Sequence, residues 1–113
     1  DDFIYAMADA ASSVAKLFAN RAIYINVMKN MSVDCDCCAI AEDPCMKDIG
    51  ILASLDPIAI DKACVDLVNN ASDDPGQAHL LERINSRHGT LIFDQANKLD
   101  FGTSEYNLID LDK

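Results

Sequence analysis

Apolar residues recur at Phe3, Met7, Ala11, Val14 and Phe18, a spacing that lays one stripe down a helix and predicts an amphipathic α-helix over residues 2–19. Asp1 and Asp2 suit the positive end of its dipole, and Lys16 and Arg21 the negative end. The pattern then changes period. Ala22 to Met28 (AIYINVM) is β-branched and almost continuously apolar, which predicts a strand covered on both faces. Polar Lys29 and Asn30 end it, and an irregular segment is expected up to Asp48. Ile49 to Ala53 predicts a second short strand. Ser54-Leu55-Asp56-Pro57 then reads as a helix start, with Asp56 as N-cap and Pro57 at the first helical position. The helix expected over 57–70 buries Ile60, Ala63, Cys64, Leu67 and Val68.

The turn-rich run NNASDDPG from Asn69 to Gly76 interrupts the helical pattern, which resumes over 77–87 with Leu80, Leu81 and Ile84 inward. Gly89 is expected to stop that helix and Thr90 to cap the next, over 91–99, with Ile92, Ala96 and Leu99 inward. Tyr106 to Leu111 (YNLIDL) predicts a last strand. The order α-β-loop-β-α-α-α-β implies an α/β fold with a small mixed or parallel sheet flanked by helices, in a single domain over 1–113. Three short strands leave exposed sheet edges, so the chain is expected to be part of a larger α/β domain or to form a homo-oligomer.

Composition narrows the partners. Half of the 113 residues are hydrophobic, yet no apolar run approaches the ~20 residues of a membrane span, so no membrane association is expected. A formal net charge of −10 disfavours nucleic acid and anionic membranes, where clustered Lys and Arg supply the affinity. Cations or proteins with basic patches fit better. Asp1 and Asp2 stand where a signal peptide would carry its basic start, so a cytoplasmic location is expected, and the absence of an initial Met suggests an excised piece of a longer protein. Five cysteines without a secretory signal point to thiols or metal thiolates rather than a disulfide framework.

Four of those cysteines, Cys35, Cys37, Cys38 and Cys45, fall in the segment DCDCCAIAEDPCMKD over 34–48, together with Asp34, Asp36, Asp43 and Asp48. Thiolates are soft ligands suited to zinc, cuprous ions or iron-sulfur clusters. The spacing C-x-C-C-x6-C differs from common zinc-ribbon and ferredoxin patterns, and adjacent Cys37 and Cys38 are awkward as ligands of one ion. Nearby carboxylates would raise the thiol pKa values unless a cation were bound, which favours a metal over a free nucleophile. Structural thiols, or redox chemistry among them, are the alternatives. A mixed set of two thiolates and one or two carboxylates would also serve zinc or ferrous iron. Elsewhere the bland readings lead: Cys64 as a small buried hydrophobe, Asp56 as a cap, His88 as a complement to a helix dipole, and His79 as solvated. Asp61, one turn inside its helix, is either a dipole partner or a residue aimed at the cysteine loop.

With these residues in view, the run CDCC…PCMKDIGILASLDPIAIDKACVDLVN resembles the C-terminal portion of the domain of unknown function 362 family, and the closing ANKLDFGTSEYNLIDLD is similar to that family's ending. The pattern rests on Cys35-Asp36-Cys37, Asp48-Ile49-Gly50-Ile51 and Asp56-Pro57-Ile58-Ala59-Ile60-Asp61. The resemblance implies an intracellular, iron-sulfur-associated protein of anaerobic-type redox metabolism with no established reaction. It also implies a longer domain whose N-terminal part is missing here, with ferredoxin-type domains as partners. Cys38 and Cys45 are additions to the family's CDC pair, which strengthens a mixed site of Cys35 and Cys37 with carboxylates.

Two functions of different class follow. The first is a metal-binding or electron-transfer module with an iron-sulfur cluster or zinc, using Cys35 and Cys37 as primary ligands, Cys38 and Cys45 as further donors, and Asp36, Asp48 or Asp61 in support. The second is an interaction scaffold with structural thiols and no metal. A thiolate enzyme is a third and weaker reading.

Overall fold

The computed structural model describes residues 1–35 and 37–113, so Asp36 lies outside the described residues. Among them, four helices and one two-stranded sheet make a small α/β domain. Helix α1 spans Asp2–Phe18, as its periodicity predicts, but it turns a different face inward. Ala8 and Ser12 are buried toward α4, whereas Phe3, Met7, Ala11, Val14 and Phe18 are exposed. Small side chains let two helix axes approach closely, and the contact is reinforced by Gln95 Nε2 donating to Asp9 Oδ1 at 3.1 Å. The Ser12 hydroxyl donates to the Asp9 carbonyl at 2.8 Å, so its burial leaves no orphan donor.

Strands β1 (Tyr24–Met28) and β2 (Gly50–Ser54) pair antiparallel, from Tyr24 opposite Ser54 to Met28 opposite Gly50. A parallel pair would need a crossover, commonly helical; residues 29–49 instead return the chain at the same end of the sheet. One sheet face, carrying Asn26, Met28 and Leu52, lies on helix α2 (Pro57–Asn70). Helix α2 begins where Asp56-Pro57 places it. The Asp56 carboxylate accepts the N–H groups of Ile58 and Ala59, both at 2.9 Å, a cap worth about 1 kcal/mol.

Helices α3 (Gln77–Ser86) and α4 (Leu91–Leu99) follow. The residue that turns left-handed between them is His88 (φ 53°) rather than Gly89, and the His88 ring meets the Asp1 carboxylate at 2.8 Å. Thr90 starts α4 without a side-chain cap bond.

Residues 106–111 are irregular, not the expected strand, and the sheet therefore has two strands where three were anticipated. The tail is held from the side by polar contacts. The Thr103 N–H donates to the second Asp56 oxygen at 3.0 Å, and the Tyr106 hydroxyl donates to Asp66 on α2 at 2.5 Å. These bonds draw the chain along α2 and leave Leu108, Ile109 and Leu111 in solvent.

The core divides around α2. Met28, Met46 and Val68 form one cluster, under the sheet and beside α3; Ile58, Phe93 and Ala96 form the other, toward α4. Among the described residues no helix is long and apolar enough to cross a membrane.

Candidate functional site

The cysteine segment is the long loop that leaves β1 and returns to β2. Asn30, in left-handed backbone (φ 52°), turns the chain, and Asp48 Oδ1 accepts the Asn30 N–H at 2.9 Å. Two backbone bonds close the loop's base: the Ile49 N–H to the Met28 carbonyl at 2.9 Å, and the Cys45 N–H to the Met31 carbonyl at 2.8 Å. Buried Val33 and Met46 tuck the two limbs into the protein. The connection before α3 grips one limb as well, because Asp74 Oδ2 accepts the Lys47 N–H at 2.9 Å. Backbone N–H groups of Lys47 and Gly76 hold the Asp74 carboxyl below its usual range. The Cys45 carbonyl sits so close to Gly76 that a Cβ there would stand 1.6 Å away, so only glycine fits this approach. On the other limb, Arg83 of α3 forms an ion pair with Asp34.

This anchoring separates the four loop cysteines. Cys45 is half-buried and packs against the cluster of Met28, Met46 and Val68. Cys35, Cys37 and Cys38 are exposed on the loop's outer part. There the Cys37 N–H donates to Cys35 Sγ at 3.4 Å and the Cys38 N–H to the Cys35 carbonyl at 3.0 Å. Among the described residues, no three His, Cys, Asp or Glu side chains come together as a metal's ligand set. The structure thus sets the Cys37 N–H against the Cys35 sulfur, with Cys38 next in the chain, and commits Asp48 to the Asn30 turn.

Asp61 has a different setting. Its Oδ1 accepts from Asn26 Nδ2 at 2.8 Å, and the same amide donates to Cys64 Sγ at 3.4 Å. Burial pushes the Cys64 thiol up, the Asn26 bond partly offsets this, and the Asp61 charge adds to the rise. Cys64 is thus a half-buried thiol whose setting favours its protonated form. Beside it on α2, Lys62 and Tyr106 both bond Asp66 at 2.5 Å. Partial desolvation pushes the Asp66 carboxyl up, but the bonds from Lys62 and Tyr106 outweigh it and leave the group below its usual range. The Tyr106 hydroxyl, bonded to that carboxylate, is pushed up to about 12. Sequence reasoning missed this polar seam. Its one legible signal was Asn26, a lone polar residue in an apolar strand, which needs a partner once that face is covered.

No curated protein and no solved structure matches the chain. A family model does match, over residues 1–66, described as a domain of unknown function (DUF362). The match takes in α1, both strands, the whole cysteine loop and α2 as far as Asp66, including the Cys35-to-Cys37, Asp48-to-Ile51 and Asp56-to-Asp61 motifs. It starts well before the run that carries the resemblance, and the similarity of the closing stretch lies beyond it. With more than half of its length matched, the chain belongs to the DUF362 family.

Proposed function

We propose that the outer part of the cysteine loop holds a metal or iron-sulfur centre and that the domain serves electron transfer. The observation that supports this most directly is at Cys35 and Cys37, both exposed, where the Cys37 backbone N–H points at the Cys35 sulfur. Soft thiolates suit zinc or an iron-sulfur centre, and N–H···S bonds tune such sites. Cys35 and Cys37 are the primary ligands, with Cys38 and Asp36 as adjoining donors. Cys45, packed against the apolar cluster, anchors the loop instead, and Asp48 and Asp61 act through the backbone turn and Asn26. A bound centre would supply a one-electron couple if iron-sulfur, or a structural or Lewis-acidic site if zinc. A ferredoxin-type domain, or the remainder of a longer domain of which this is the C-terminal part, is the natural electron partner.

Metal analysis with an absorption spectrum on anaerobically purified protein, alongside a Cys35→Ser, Cys37→Ser variant, tests the reading. Iron with sulfide, or stoichiometric zinc, is expected in the parent and absent from the variant. Equal metal in both, or metal in neither, refutes it. The scaffold reading, in which the thiols are structural as Cys45 is against the apolar cluster, then takes its place.

A further inference from the structure

The sheet has one covered face and one bare face. On the bare side, Ile25 pairs with Ala53 and Val27 with Ile51 across the ladder, and Ile23 and Leu55 continue the same alternation one step beyond it. Ile25, Val27 and Ile51 are 62%, 60% and 72% exposed, so an aliphatic surface on the order of 500 Å² faces water, as large as the biggest patch on a typical monomer. Helix α1 has the matching defect. Its larger apolar stripe, Phe3, Met7, Val14 and Phe18, is left largely in solvent, with Phe3 and Met7 beside a cavity they share with Ile92 of α4.

The two surfaces suit one another. The stripe runs about 22 Å at 1.5 Å per helical residue. Strand residues 23–27 and 51–55, at about 3.4 Å each, offer a face of roughly 17 Å plus side chains. A helix laid on an aliphatic sheet face is the ordinary way such a face is covered, as α2 covers the other side of this sheet. Within one chain the two cannot meet, because α1 is fixed to α4, which packs on the α2 layer rather than on the sheet. Between two chains related by a two-fold axis, each α1 can lie on the other's sheet.

Area supports a second copy as the occupant. The chain exposes 7811 Å², against roughly 6,100 Å² expected for a folded monomer of its mass. A reciprocal pair would bury about 2,000 Å² in all, within the range of stable specific interfaces. Both surfaces are aliphatic or aromatic, so the net charge of −10 on each copy is kept off the contact.

We propose that the chain forms a two-fold dimer in which α1 of each copy covers the bare sheet face of the other. Sedimentation velocity from low to high micromolar concentration, with far-UV circular dichroism to verify folding, tests this on the whole chain and on two variants, Val27→Glu and Phe3→Glu. The parent should sediment at twice the 12.3 kDa chain mass. Each variant should associate at least tenfold more weakly, and mixing the two should recover part of the association, because one of the two reciprocal contacts is then intact. Val14→Glu and Ile51→Lys replace either variant if it fails to fold, with the same expectation. A parent that stays single throughout overturns the proposal and leaves the face to a different polypeptide. An effect of Val27→Glu without one of Phe3→Glu overturns it in favour of sheet-on-sheet packing, and an open series of larger species overturns the reciprocal closure.

Discussion

Asp66 and Tyr106 show how single residues decide where a segment lies. The bond between them pins a tail with strand-like patterning to the flank of α2. Its pH dependence has two limbs. The Asp66 carboxyl lies below its usual range in the folded chain, so its contribution is present above the unfolded pKa near 3.9 and is lost as pH falls through the lower folded value. The Tyr106 hydroxyl is raised to about 12, so its contribution is complete below the unfolded pKa near 10 and disappears as pH rises through about 12. An ultraviolet titration of tyrosinate should show one of the three tyrosines ionising late, and Asp66→Asn should return it to the ordinary range. A tyrosine that stays late in the Asp66→Asn protein would disprove the assignment.

At the scale of elements, the two faces of α1 make opposite predictions for the same substitution. Ala8→Leu inserts volume into a fully buried contact and should cost about 1–3 kcal/mol of unfolding free energy, measured by urea denaturation of dilute protein. Ala11→Leu adds the same atoms on the exposed side and should change stability by no more than about 0.5 kcal/mol. The stripe drawn from periodicity gives the reverse order, which locates the limit of sequence reasoning. The presence of all four helices was legible, and the start of α2 to the residue, because Asp56-Pro57 is local backbone chemistry. Inward faces and strand pairing depend on distant partners. A larger apolar stripe on α1 lost to a smaller one because Ala8 and Ser12 allow close approach to α4, and antiparallel pairing followed from a connection without a helical crossover. The cysteine loop was placed correctly between the strands, but Gly76, Asp74 and Arg83, which anchor it from 27 to 49 residues downstream, carry no motif that announces the task.

For the whole molecule, the excess exposed surface means that unfolding uncovers less new area than a domain of this length ordinarily would. The slope of unfolding free energy against urea scales with that area. Dilute protein should therefore unfold with a shallower slope than compact domains of the same size; a slope equal to theirs would show that the bare surfaces are covered in solution. The chain measures 39 × 38 × 22 Å, a slab rather than a sphere. Half its thickness is about 11 Å, little more than one side chain and one backbone layer, and among the described residues no large side chain is sealed from solvent completely. Water is thus never more than a short fluctuation away from the backbone at the centre of the sheet. Amide hydrogens there would exchange through small local openings and not only by global unfolding, so a single chain would have no deeply protected nucleus.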